Sequence, residues 1–406
     1  MLRLAPCAAL LAALSLAPDA RARCVSCHEK LQPGIVSDWT ISKHARAGVT
    51  CETCHGADHA SDGDVSEARF PGPDTCATCH PSQVAQFKRG KHARAWVAVK
   101  ALPTFHHLDQ GDALSPTGCA SCHRVGLKTA AEAAELRAAG ATRGMASCDA
   151  CHTRHLFSAA EARQPEACRA CHGDLQYQAW SESKHGTRHF LEVTGRIDGG
   201  AAAPTCQSCH MQQGDHAVRT PWGNLALRLP LPQDPAWAKD RALVLEALGV
   251  LDGRGQPGPR MAAFEEAVLV HMDLIDYQNE RLELTTACRS CHGAAFVRET
   301  LDARDALVRE ADRVGAEAIR EVTALRKAGL VGHAGRSVPD LVAAASGSPI
   351  ERRLAALFFE TRPKLVATAF HMSPGHVEWQ ARMRADLAEV KRLAAELRKV
   401  GKRTRR

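Results

Sequence analysis

Aromatic side chains are scarce. Phe, Trp and Tyr make up 4% of the 406 residues, and only two of these are tyrosines. A chain of this length cannot fill its core with rings of its own, so flat apolar surface has to come from elsewhere. After the run from Leu4 to Ala17, no stretch is apolar enough to form a membrane-spanning helix. The period-two alternation of half-buried strands is rare too, which argues against a fold built from sheets. Cysteine is plentiful at seventeen, but after Cys7 none is spare for a disulfide.

The other sixteen cysteines repeat one pattern, Cys-x-x-Cys-His, eight times. The motifs are Cys24, Cys27 and His28; Cys51, Cys54 and His55; Cys76, Cys79 and His80; Cys119, Cys122 and His123; Cys148, Cys151 and His152; Cys168, Cys171 and His172; Cys206, Cys209 and His210; and Cys288, Cys291 and His292. This is the attachment signature of c-type haem. Two thiols add to two vinyl groups, and the following histidine is placed under the iron as proximal ligand. A single copy could be a zinc or redox site. Eight copies that consume every later cysteine point to eight covalently bound haem c groups. Their porphyrins explain the missing aromatics.

Arg3, the apolar run and Ala20-Arg21-Ala22 read as an export signal over residues 1–22. Cys7 lies inside that run after Pro6, which disfavours lipidation. The expected location is the periplasm. The formal charge of +7 is concentrated in the last sixteen residues, Lys391 to Arg406, with eight Lys/Arg and one Glu. Such a run can meet an acidic partner or a membrane surface, but a solvated helix end is the preferred reading. No nucleic-acid partner is expected.

Seven motifs lie in 23–227, read as a multihaem domain of short helices and loops. The Pro-rich stretch 228–237 opens a second part, 228–406, which carries the eighth motif. Helical periodicity there covers 261–287, 298–329, 351–370 and 377–400. The expected fold is mostly α, a haem-packed N-terminal part followed by long C-terminal helices.

Low-spin haems commonly take two axial histidines. Twenty-one histidines leave thirteen beyond the proximal set. His44, His92 and His185 each end an aromatic-x-x-x-Lys-His pattern that places the aromatic and the lysine on one helical face. His59, His155 and His216 closely follow a motif. They lie on the proximal side of their own haem and so reach a neighbouring one. His107, with His106 as its rival, is the seventh distal candidate. Seven distal ligands for eight irons leave one open position, as a catalyst requires.

The stretches "CVSCHEKLQPGIVSDWTISKHARAGVTCETCHGADH", "PDTCATCHPSQVAQFKRGKHARAW", "GCASCHRVGLK", "ASCDACHTRHLFSAAEARQPEAC", "SKHGTR" and "APTCQSCHMQQGDHAVRTPWG" resemble the hydroxylamine oxidoreductase family of octahaem cytochromes c. The resemblance implies a mostly helical periplasmic protein, commonly a homotrimer, with its active haem at the fourth motif, His123. It also implies small nitrogen substrates and a redox partner, a cytochrome c or a quinol-linked protein. Oxidising members carry a C-terminal tyrosine that crosslinks to the active haem of a neighbouring subunit. Here "TAFHMSPGHVEW" is similar to that segment, with Phe370 and His376 at the tyrosine positions. The resemblance therefore implies an uncrosslinked haem and reduction of nitrite or hydroxylamine to ammonia. The family's pocket Asp-His pair is missing, since Asp174 is followed by Leu175. Tyr277 is the candidate pocket tyrosine, with a packing role on its helix equally open. His371 and His376 are the candidate substitutes for the missing proton donors. The alternative functions are a hydroxylamine dehydrogenase and a non-catalytic electron conduit.

Overall fold

The computed structural model describes residues 20–101, 117–198, 203–332 and 337–404. Among these the chain is helical, with one isolated bridge between Leu251 and Pro257 and no strand. No described helix is long and apolar enough to cross a membrane.

In the motif-rich part, Cys51–His55, Cys206–His210 and Glu166–His172 are helices of one or two turns. A single turn brings the first cysteine and the histidine, four residues apart, onto one face. Thr53 and Ser208 hydroxyls accept from the backbone N–H groups of Thr50 and Thr205, which starts two of these turns. Pro33–Ile41, Cys51–His55, Pro73–Ala77, Glu166–His172 and Cys206–His210 bury none of their own residues. Helices this short cannot persist unaided. Their apolar faces are left for groups that are not amino acids.

The C-terminal part has a conventional core. Helix Ala294–Lys327 buries Ala311, Val314, Ala318, Ile319, Val322 and Leu325 at steps of one to four residues. They pack with Val244, Leu245 and Leu248 at the end of Pro235–Ala247, and with Met383, Leu387, Val390 and Ala394 of His376–Thr404. Each fully buried Leu or Ile side chain in such a core contributes about 1.5–3 kcal/mol. Ion pairs Glu310–Arg384, Glu317–Lys391 and Glu321–Arg398 rise together in number along the two long helices, so these run parallel.

Two expected helices differ in detail. The 261–287 pattern is two helices, Met261–Glu266 and Leu274–Arg289. Val268 and His271 adopt positive φ between them, and Asp273 caps the second through the N–H of Ile275. The 351–370 pattern widens into a π turn at Leu357–Thr361. Pro363 follows and has no N–H to give to the carbonyl of Phe359.

Candidate haem centres

The motif histidines do not stand alone. His28 faces His59 with ring centroids 6.1 Å apart, and His44 faces His80 at 6.1 Å. His55 and His155 are 6.2 Å apart, His92 and His172 6.1 Å, and His152 and His216 6.3 Å. His185 meets His292 at 6.1 Å, and His210 meets His371 at 6.2 Å. Two metal–nitrogen bonds of about 2 Å, plus about 1.1 Å from each ring nitrogen to its ring centre, separate two imidazoles on one metal by about 6.2 Å. The seven spacings fit an iron between each pair. Among the described residues no group of three or more His, Cys, Asp or Glu converges as a protein-only metal cage would.

Hydrogen bonds fix which nitrogen faces inward. Nδ1 of His55, His123, His210 and His371 donates to the carbonyls of Arg69, Ala95, Arg219 and Ala367. Nδ1 of His28 and His172 donates to the side-chain oxygens of Gln32 and Gln176. Nε2 is left for a metal in each case, the usual arrangement behind a ligating imidazole. Burial pushes His92, His155 and His371 down to about 4, with a second histidine beside each adding to the shift. They are neutral at pH 7, as a ligand must be.

The histidines that follow a motif all face a different motif. His59 faces the histidine of motif one, His155 that of motif two and His216 that of motif five. In the aromatic-x-x-x-Lys-His stretches, the helical turn expected to join aromatic and histidine is broken in two places. Ser42 and Ser183 end one helix and cap the next, accepting from Ala45 N and Gly186 N. The histidine then stands in the first turn of a new helix.

His371 is a correction. It was expected as a pocket proton donor, or as a closing ligand of the last iron in the electron-conduit reading, but its ring is buried opposite His210 and its Nδ1 is engaged by its own helix. It stands where a seventh distal ligand would, across from His210. His106 and His107, the earlier candidates for that place, lie outside the described residues. His376 is a second correction. Its Nδ1 donates to the Ser373 carbonyl, and its Nε2 accepts from Arg304. With both nitrogens used, it anchors the start of His376–Thr404 rather than serving a pocket. Phe370, at the other tyrosine position, stacks on Trp222 with ring centroids 3.9 Å apart. Tyr277 lies in the same cluster. Arg281 donates to its hydroxyl and pairs with Asp305, which also accepts from Trp222 Nε1. Among the described residues its contacts are with this cluster.

That leaves His123. Its ring is held by Ala95, and among the described residues no histidine faces it. Gly126 makes this hold possible. A Cβ there would sit 2.2 Å from the backbone nitrogen of Trp96, so only glycine lets the 95–96 backbone come close enough for its carbonyl.

The attachment sulfurs, which are thioethers once haem is bound, show how the motifs adjoin. Cys51 has Cys24 beside it, and Cys54 has Cys76. Cys76 contacts Cys148, Cys151 has Cys168 nearby, and Cys168 contacts Cys206. Cys209 has Cys288 nearby, and Cys122 of motif four contacts Cys171 of motif six. The order is one-two-three-five-six-seven-eight, with motif four branching from six.

Residues 47–220 match the family described as seven times multi-haem cytochrome CxxCH. This matched region is that of a multihaem c-type cytochrome, whose CxxCH motifs carry covalently bound haem c. Residues 10–56 match the family of cytochrome c554 and c-prime. A curated relative, a probable nitrite reductase-hydroxylamine oxidoreductase fusion protein of Kuenenia stuttgartiensis, is 32% identical over 48% of this chain. The cytochrome spans 26% of that relative's length. Among solved structures, a reducing HAO-like (hydroxylamine-oxidoreductase-like) protein complex of the same organism covers 95% of this chain and 86% of its own, with TM-score 0.64 and 22% identity. A hypothetical multiheme protein covers 95% and 96%, with TM-score 0.65 and 18% identity. The fold is the HAO-like multihaem fold.

Sequence reasoning missed Asp64, Gly126 and the buried Asp312. A glycine three residues after a motif histidine was the one available signal.

Proposed function

We propose that this cytochrome is a periplasmic octahaem reductase of small nitrogen oxides, with nitrite or hydroxylamine reduced to ammonia at the haem of motif four. The observation that carries this reading is the asymmetry of the histidines. Seven motif histidines have a second ring across from them, and His123 is held from behind with no described histidine in front. The haems supply one-electron chemistry and, at an open iron, a binding position for a small ligand. The protein supplies the arrangement. The paired imidazoles hold seven centres ready for electron transfer. Ala95 and Gly126 hold His123 in one tautomer, and the adjoining motifs keep neighbouring centres close.

The curated relative's name joins nitrite reduction with hydroxylamine oxidation, and the solved relative is described as a reducing complex. The reductive direction is favoured because neither tyrosine, Tyr177 nor Tyr277, lies in the segment after residue 351. A phenyl ring at Phe370 has no oxygen with which to form the crosslink of oxidising relatives. The same reading includes a homotrimer and an electron-donating redox partner, a cytochrome c or quinol-linked protein.

The test is turnover of nitrite and hydroxylamine by the holoprotein with a reduced low-potential donor, with ammonia as the readout. Ammonia formation well above that of free haem is expected. Turnover no better than free haem, or hydroxylamine oxidation with a covalent haem–peptide crosslink seen by mass spectrometry, contradicts it.

A further inference from the structure

The imidazoles of the seven pairs differ in what holds their outer nitrogen. Three of them, His55, His210 and His371, use backbone carbonyls, and two, His28 and His172, use glutamine oxygens. His59 is different. Its Nδ1 donates to Asp64 Oδ1 at 2.9 Å, and it is the one histidine among the described residues paired with a carboxylate.

Asp64 is well placed for this. Oδ1 accepts from the N–H groups of Ser61 at 2.8 Å and Ala60 at 3.1 Å, and Oδ2 accepts from Ala60 at 3.1 Å. The turn at Asp62–Glu67 therefore aims the carboxylate at His59 from a fixed position. The pair His28–His59 belongs to motif one, which joins the relay through Cys24 beside Cys51. At the opposite end, His185 and His292 have no carboxylate partner among the described residues.

A carboxylate on the outer N–H of an axial imidazole draws the proton toward itself. The inner nitrogen then becomes a stronger donor, and the oxidised metal is stabilised. The negative charge acts in the same direction. We propose that Asp64 is a positioning residue that lowers the reduction potential of the centre held by His28 and His59, making motif one the low-potential end of the relay. It deepens the reductase reading and rests on His28 and His59 being an axial pair. Electrons pass spontaneously from lower to higher potential, so this end suits delivery by a one-electron donor and passage inward toward motif four.

The test is a spectroelectrochemical titration of the holoprotein with Asp64→Asn, Asp64→Glu and His59→Ala. Asparagine keeps an oxygen for the Ala60 and Ser61 N–H groups and removes the charge. In D64N, one low-potential transition is expected to move upward, with the others unchanged and that centre still low-spin by EPR. D64E restores part of the lowering. The inference is overturned if all D64N potentials match wild type, or if centre one loses its sixth ligand in D64N. H59A tests the underlying reading separately. It should create one new high-spin haem, and its failure to do so would refute the axial pair rather than the role of Asp64.

Discussion

His371 and His376 are five residues apart and have separate tasks. His371 faces His210 from the end of helix Arg362–Phe370, and His376 ties Ser373 to Arg304. His371→Ala should turn one low-spin haem high-spin in EPR and resonance Raman spectra, and His376→Ala should leave the spin states unchanged. Gly126→Ala should act through His123. The new Cβ pushes the 95–96 backbone away, the Ala95 carbonyl is lost as acceptor, and the Fe–His stretch of the motif-four haem weakens, with little change at the other seven. Six of the seven rings set across from a motif histidine are marked in the sequence by local patterns, either a preceding aromatic and lysine or closeness to a motif. His371 carries no such mark, because its partner is contributed by a motif 161 residues earlier in the chain. Only folding brings the two together. Asp64 was hidden for a related reason, since nothing in "HASDGD" distinguishes a ligand's acceptor from an ordinary turn aspartate.

The helices that hold these side chains are tied together by one buried acid. Asp312 accepts from Trp237 Nε1 at 2.7 Å, Arg241 Nη1 at 3.1 Å and Arg362 Nη2 at 2.7 Å. Arg241 also donates to the carbonyls of Ala226 and Leu229, and Arg362 to that of Leu225. The network thus joins helices Pro235–Ala247, Ala294–Lys327 and Arg362–Phe370 to the 225–229 stretch, and it fixes the helix that ends in His371. Removing Asp312 leaves two buried guanidiniums uncompensated. Asp312→Ala should cost about 3–5 kcal/mol of stability, read from denaturant unfolding of the holoprotein. Burial pushes the Asp312 carboxyl up, but Arg362 and Arg241 outweigh it and hold it below the ordinary range. Its contribution is therefore complete above the unfolded value of about 3.9 and is lost as pH falls through the depressed folded value. Thermal unfolding below about pH 4 should be less steeply pH-dependent in Asp312→Asn than in wild type. Helical periodicity made the long helices legible in the sequence. It did not show the break at 267–273 or the π turn before Pro363, because both depend on backbone choices that leave the apolar spacing intact. Nor could it reveal that the two longest helices run parallel, since the reversal occurs in the intervening segments.

Taken whole, the cytochrome is a helical core joined to a motif-rich region with a smaller side-chain cluster around Trp96 and Leu136. The motif helices bury little because haem is to supply their apolar contacts, and the same economy accounts for an aromatic content of 4%. The relay touches every motif, with motif four set beside motif six as a branch. A branch is where a reaction centre can draw on the relay without interrupting it. The eight motifs and the helical class were readable from residue order alone, but the branching was not, because sulfurs from motifs far apart in sequence meet only in the folded chain. The central proposal is that seven centres are closed by histidine pairs and that the one at His123, which no described histidine faces, is open. Resonance Raman and EPR spectroscopy of the purified holoprotein, with haem quantified per chain, tests this most directly. The account predicts one high-spin haem in eight, lost on adding nitric oxide and retained in a His107→Ala variant. Eight low-spin haems that give no new signal with nitric oxide would contradict it.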